Sequence, residues 1–369
     1  MAPSSGESGF HESMSRRGKL TVLALVAGVA ALLPGCAATS YYWQAFTGQM
    51  EVRRLSRPVD EVIAAPDTTA DLKRRLEYAR VAREFASSEL GLPNNRSYRV
   101  YADLKRSAIV WNVFAAPALS LKLETHCFPI AGCVNYRGYF SEADANAYAA
   151  KLREQGLDVY SGGVPAYSTL GWFDDPLLNT FIRYPELEIA RLIFHELAHQ
   201  VAYAAGDSTF NESFATAVEE EGLRRWMVAH ATPEQKSQFE LFATRRKDLM
   251  DMLRRTREKL DAVYKQSASD EQKMAGKQAV FAAMREEYAQ LRTGWGGYNG
   301  YDAWIAKDLN NAKLGSIATY NQLVPAFNAL LGREHGDLNL FYAEVKRLAK
   351  LSKEERNKAL AELAPGAPT

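Results

Sequence analysis

The sequence carries almost no net charge: 45 Lys and Arg stand against 44 Asp and Glu, leaving +1 at pH 7. That balance removes the global attraction to nucleic acid or anionic lipid that a basic chain would have. Local basic clusters such as Arg254-Arg255-Thr256-Arg257 have acidic residues beside them. They read as solvated helix faces, and no nucleic-acid partner is expected. The apolar run Leu20 to Leu33 has 14 residues, short of the roughly 20 needed to cross a bilayer. Cysteine is scarce, with three in 369 residues, and no internal repeat is visible. What remains, 47% hydrophobic and 24% charged residues, is the balance of a soluble globular protein with one large domain or two ordinary ones.

The first forty residues are expected to be a leader rather than part of the fold. Arg16, Arg17 and Lys19 precede the apolar run, which ends in Leu33-Pro34-Gly35-Cys36. A charged start, a short apolar stretch and a small residue before Cys resemble a bacterial lipoprotein signal. The resemblance implies cleavage after residue 35 and lipidation of Cys36. The protein would then sit in the cell envelope, held to the membrane by an N-terminal lipid. Ala37, rather than Asp, favours the outer membrane facing the periplasm. An ordinary signal peptide with an incidental cysteine is the alternative. In an exported chain Cys127 and Cys133, with Pro129 and Gly132 between them, are expected to pair as a disulfide. A metal site with His126 would need more ligands than this segment offers.

Four stretches are expected. Residues 1–35 are the leader, and 36–95 are an N-terminal helical segment that includes a helix from Thr68 to Glu89 with Leu72, Leu76, Ala79 and Val81 on one face. Residues 96–184 are β-rich, with strands at Tyr98–Tyr101, Ile109–Phe114, Val134–Tyr139 and Leu157–Tyr160, and a helix capped by Ser141. Residues 185–363 are helical: Pro185–Ala205, Phe210–Ala229, a charged pair at Glu234–Gln266 and Asp270–Leu291, then Asn310–Leu331 and Leu338–Leu351.

His195-Glu196-Leu197-Ala198-His199 lies in the first of these. Histidines four apart on a helix leave the same face and can chelate one ion. Glu196 can reach a metal-bound water without being a ligand. The surrounding residues, Ile189, Leu192, Ile193, Phe194, Leu197, Val201 and Ala202, are apolar, so the helix is expected to be buried on most faces. Two core histidines hydrogen-bonded to neighbours would be the ordinary alternative. A hydrolytic zinc site needs a third protein ligand and an open position. Glu212, on the next helix after a turn at Gly206, is the first candidate and Glu219 its rival. If Glu212 is the ligand, Glu219 can orient a histidine through its other ring nitrogen. Thr209 to Glu212 also fits a capping box.

With Asn211-Glu212-x-Phe214-Ala215 and Glu219, this stretch resembles the gluzincin metallopeptidases of the thermolysin and aminopeptidase N kind. The resemblance implies one Zn²⁺ held by His195, His199 and Glu212, with Asn211 and Glu219 supporting the ligands. The chain departs from those families in the shortness of the connection between the two helices. A longer resemblance runs through Trp111-Asn112-Val113-Phe114-Ala115-Ala116-Pro117, the Cys127–Cys133 segment, Tyr136-Arg137-Gly138-Tyr139-Phe140, Ala166–Phe173 and Asn310-Asn311-Ala312-Lys313-Leu314. By these segments the chain is similar to the bacterial family called putative aminopeptidases.

The resemblances imply an α+β chain: a small mixed sheet followed by a mostly helical, zincin-like metallopeptidase part. They also imply an edge strand, Val164–Gly171, that pairs with an extended peptide substrate. The glutamate with which aminopeptidase N relatives hold the substrate amine has no counterpart in this segment. Glu196 would be the general base. A donor to the oxyanion is needed as well, with Tyr320 the first candidate and Tyr298 and Tyr301 next. The competing reading is a non-catalytic or chaperone-like envelope lipoprotein that retains a zinc site.

Overall fold

The computed structural model describes residues 40–128 and 132–364; the leader and Cys36 lie outside them. Two units are distinguished, Met1–Glu51 and Val52–Thr369. In the first, residues 40–51 belong to a helix, α1 (40–55), and expose Tyr42, Trp43 and Phe46. The rest of the description concerns the second unit.

It opens with β1 (Arg57–Pro58), α2 (Val59–Ala64) and α3 (Ala70–Ser88). Thr69 caps α3 by accepting from the Leu72 amide. Leu76 and Ala79 are fully buried, but Val81 is 47% exposed, so the buried face runs through Ala82 and Phe85 instead. Then come β2 (Val100–Ala102), β3 (Val110–Pro117), β4 (His126–Phe128), β5 (Gly132–Val134), β6 (Arg137–Tyr139), α4 (Glu142–Glu154), β7 (Leu157–Val164) and β8 (Leu177–Leu178). Ser141 caps α4 as its sequence implies.

The strands form three small sheets: β1-β2-β8, β6-β3-β7 and β4-β5. β3 pairs with β7 antiparallel over their full length, from Val110↔Val164 to Pro117↔Leu157. The Cys127–Cys133 disulfide closes the β4-β5 hairpin. Its Gly132 has φ +73°, and a Cβ there would come within 2.5 Å of the Gly206 nitrogen, so only glycine lets the hairpin approach that loop. The expected strand Val134–Tyr139 is thus divided, its start pairing within the hairpin and its end with β3. The expected edge strand at 164–171 is also different. Past Val164 the chain is irregular, with Leu170 and Gly171 both at positive φ, and the edge of the sheet is β7 itself.

Among the described residues every regular element after Pro185 is a helix: α5 (Glu186–Ala198), α6 (Ser208–His230), α7 (Pro233–Tyr264), α8 (Asp270–Gly294), α9 (Asp302–Ala306), α10 (Asn311–Asn321), α11 (Val324–Arg333), α12 (Leu338–Ala349) and α13 (Lys353–Leu363). The chain is therefore α+β, with a mostly helical second part. α7 and α8 form the expected hairpin, each opened by a capping box, at Thr232 and Ser269. Asn310–Leu331 is two helices, because Pro325 supplies no amide and starts a new one. α13 lies beyond the last expected helix, which ended at Leu351, and is opened by a Ser352-x-x-Glu355 capping box. Among the described residues no helix is long and apolar enough to cross a membrane.

One main core joins α3, α5, α6 and α11 to α13. Phe214 sits at its centre against Phe327, Phe341 and Tyr342. Within it lies an ion pair: Asp207 caps α6 at the Phe210 amide and holds Arg356 of α13 at 2.9–3.0 Å, with both residues under 5% exposed. Removing one partner of a buried pair strands the other charge. Asp207→Ala is therefore expected to lower unfolding free energy in urea by about 3–5 kcal/mol, with the cap's loss included. A loss under about 1 kcal/mol would mean that the pair contributes nothing beyond the cap.

Candidate metal centre

α5 is buried along most of its length, with nine buried residues between Ile189 and Ala198. Pro185 opens it, and it ends sooner than expected. Ala198 is its last residue, with His199 in the C-cap position. His199 still has αR dihedrals, φ −58° and ψ −23°, so the four-residue spacing keeps both imidazoles on one side, their centroids 4.9 Å apart.

Nine residues, 199–207, connect α5 to α6. Asn211 fixes this connection. Its side chain accepts from the Ala204 amide at 2.7 Å and donates to the Ala204 carbonyl at 2.9 Å. Asn211 thus supports the loop rather than any ligand directly. The cap of α6 is Asp207, not Thr209, so the capping-box alternative for Glu212 falls away. Glu212 instead turns toward α5, one carboxylate oxygen lying 3.3 Å from His195 Nε2 and 3.6 Å from His199 Nε2.

His195, His199 and Glu212 offer ligand atoms that all lie within 4.8 Å of one another. Glu219, two turns along α6, meets the other nitrogen of His195, Nδ1, at 2.8 Å. It is in turn held by Arg191 at 2.9 Å, a residue one turn before His195 that no local pattern singles out. Gln200 follows His199 and donates to the buried Asp175 and to Ser97. Asp175 in turn accepts from the Thr169 backbone and hydroxyl. The irregular stretch after β7 is thereby tied to the end of α5.

Glu196 is 7% exposed, and among the described residues no hydrogen bond engages its carboxylate. Tyr320, from α10, lies 6.4 Å from the His195 ring. Tyr298 and Tyr301 pack instead in an aromatic cluster around Trp295, with Arg245 over the Tyr298 ring.

The electrostatics separate the two kinds of acid. Burial raises the carboxyl of Glu212, but its interactions with His199 and His195 outweigh that and hold the group down at about 2. Glu219 is likewise held at about 2, against burial, by Arg191 and His195. Glu196 is pushed up by burial, which the charges of His195 and His199 only partly offset. Burial works against charge on His195, yet its bonds with Glu212 and Glu219 raise it to about 10. The Tyr320 hydroxyl is pushed well above its ordinary value by the Glu212 charge and by burial.

A family model described as Putative aminopeptidase matches residues 40–360. No curated protein and no solved structure matches the chain significantly.

These contacts set a pH window for chelator-treated protein. The raised His195 stabilises fully below its unfolded value near 6.5 and ceases to as pH rises through about 10. The lowered Glu212 and Glu219 stabilise above about 4.5 and lose the contribution as pH falls through about 2. Thermal unfolding in chelator is expected to be latest between about pH 4.5 and 6.5 and earlier on either side. A melting temperature that climbs steadily through pH 9 would contradict a protonated His195.

Proposed function

The chain belongs to the Putative aminopeptidase family, and on that premise we propose that it is a zinc-dependent peptidase of the gluzincin type. The observation that carries this reading is the convergence of His195 Nε2, His199 Nε2 and a Glu212 oxygen, with an unengaged Glu196 carboxylate beside them. The donor set fits the metal. Glu219 occupies Nδ1 of His195 and leaves Nε2 for the ion. Two imidazoles and one carboxylate are a catalytic rather than a closed structural set.

Bound there, Zn²⁺ supplies Lewis-acid chemistry, polarising a peptide carbonyl and making water a better nucleophile near neutral pH. The chain's own residues do the rest. Glu196 takes the proton of the attacking water and delivers it to the leaving amine, a task open to it because no hydrogen bond among the described residues engages its carboxylate. Glu219 and Arg191 hold His195 in one tautomer. The Tyr320 hydroxyl, kept protonated by its surroundings, donates to the oxyanion. The edge of β7 beyond Val159, whose carbonyl Asn310 occupies, supports the extended substrate by main-chain pairing. Leu20–Leu33 followed by Cys36 supports export and lipid anchoring in the cell envelope.

Glu212→Ala is expected to abolish stoichiometric zinc measured by elemental analysis; unchanged zinc would move the third ligand elsewhere. Glu196→Gln should keep its zinc and lose about 10²–10⁴-fold in kcat on a peptide library. Full activity in that variant would end the hydrolase reading and leave the chaperone-like one. Tyr320→Phe should fold normally and lose about 10²–10³-fold in kcat with little change in KM.

A further inference from the structure

The Asn310-Asn311-Ala312-Lys313 segment takes no part in the chemistry above, yet it is built with care. Asn310 caps α10 at the Lys313 amide and donates to the Val159 carbonyl. Asn311 donates from its side chain to the carbonyls of Pro117 and Ala118, and its amide donates to Asp158. Together they fasten the start of α10 to the ends of β3 and β7. Lys313 is thereby driven inward until only 1% of it is exposed.

Its ammonium donates to the backbone carbonyls of Trp304 and Lys307 and lies over the rings of Trp304 and Tyr160, 4.5 and 5.2 Å from their centroids. Among the described residues it makes no ion pair. The exposed Asp308 is the acid whose field it feels, and the exposed Lys307 opposes it. Two buried cations, Lys277 and Arg356, are paired with Asp158 and Asp207. The buried Arg83 has no carboxylate but fills its guanidinium with the Ser97, Pro93 and Asn95 carbonyls and the Ser87 hydroxyl, whereas Lys313 has two carbonyls only. A buried cation lacking a carboxylate can be completed by one from outside.

Lys313 lines a cavity of about 270 Å³. Two faces of the sheet contribute to it. Phe114 and Ala116 pack against Ala312, so the even-numbered residues of β3, and Tyr160 and Gly162 opposite them, face α10. Trp111, Ser161 and Gly163 point the other way, toward Glu142 and Asn146 of α4. A cavity lined from both faces must lie beside the edge of β7, which has no further strand among the described residues. Gly162 and Gly163 place no side chain beside it, and a Cβ at Gly163 would come within 2.7 Å of Ala108. Glu142 is exposed and screened by solvent, so the buried Lys313 dominates the field within.

Lys313 and Tyr320 stand seven residues apart on one face of α10, about 10 Å along its axis at 1.5 Å per residue. An extended peptide covers that distance in roughly three residues. We propose that this cavity receives the C-terminal carboxylate of a short peptide lying along β7, so that the site selects substrates ending about three residues beyond the cleaved bond. The inference rests on the peptidase reading for the position of that bond.

Calorimetric titration of zinc-loaded Glu196→Gln protein separates the two. Alanine tetrapeptide as the free acid is expected to bind at least tenfold more tightly than its C-terminal amide. Lengthening it to eight residues should remove the advantage. The acid-to-amide ratio should fall toward one in Lys313→Met and by several-fold in Lys307→Gln, whose exposed side chain leaves folding intact. Equal affinity for acid and amide would overturn the proposal. So would competition by acetate at the same molar concentration as the peptide, which would mark a general anion site. So too would an unchanged ratio in both lysine variants. Because binding is read without turnover, a protein that prefers the acid but hydrolyses neither peptide with zinc would refute the peptidase reading and leave this site standing.

Discussion

The candidate centre depends on how α5 is held against α6 across the nine residues that join them. His195 and His199 are local, fixed by one turn of helix. Glu212 is not; it reaches them only because the connection turns back at once and is locked. Asn211 clamps Ala204 by both its amide and carbonyl. Asp207 caps α6 while anchoring Arg356 of the last helix. The disulfide-closed hairpin brings Gly132 against the Gly206 backbone. Three separate parts of the chain therefore brace one short loop. A carboxylate set by a loose loop would not sit within 3.3 Å of a buried imidazole, given that ordering it would cost conformational entropy each time.

That bracing has an electrostatic consequence. Glu212 and Glu219 flank His195 on its two nitrogens and are held ionised, whereas Glu196, bonded to nothing among the described residues, is pushed toward protonation by burial. Neighbouring carboxylates driven in opposite directions suit the proposed division between holding a metal and transferring a proton. Arg191 shares with His195 the compensation of Glu219, a carboxylate only 1% exposed. The sheet enters through α10, which lays Tyr320 beside His195 at one end and Lys313 at the edge of β7 at the other. One helix, pinned by two asparagines, thus ties the proposed chemistry to the proposed peptide anchor.

Much of this was legible beforehand. The α+β class, the capped helices α3 and α4, the α7–α8 pair and the Cys127–Cys133 bridge follow from patterns within a dozen or so residues: a cap, an apolar period, two cysteines around Pro and Gly. Where expectation and structure part, the cause is tertiary. Val81 fits the apolar spacing of α3 but has nothing packed over it. α5 stops at Ala198 because residues after it are drawn into bonds with Asp175 and Asn211. The sheet ends at β7 rather than at a strand over 164–171, because Asp175 gathers the latter into an irregular loop.

The sequence by itself determined the two histidines and the glutamate between them, since the geometry of one helical turn is the same in any protein. It also carried the Asn-Glu segment that nominated Glu212 and the leader pattern that nominated Cys36. Only the tertiary structure decided that Glu212 faces both histidines while Glu219 takes the far nitrogen of His195, that Asn211 serves the loop, and that Tyr320 rather than Tyr298 or Tyr301 stands beside them. Each of those is a contact between elements distant in sequence. Which side chains meet across such a gap depends on helix ends, loop closure and packing, and none of these is written in local periodicity.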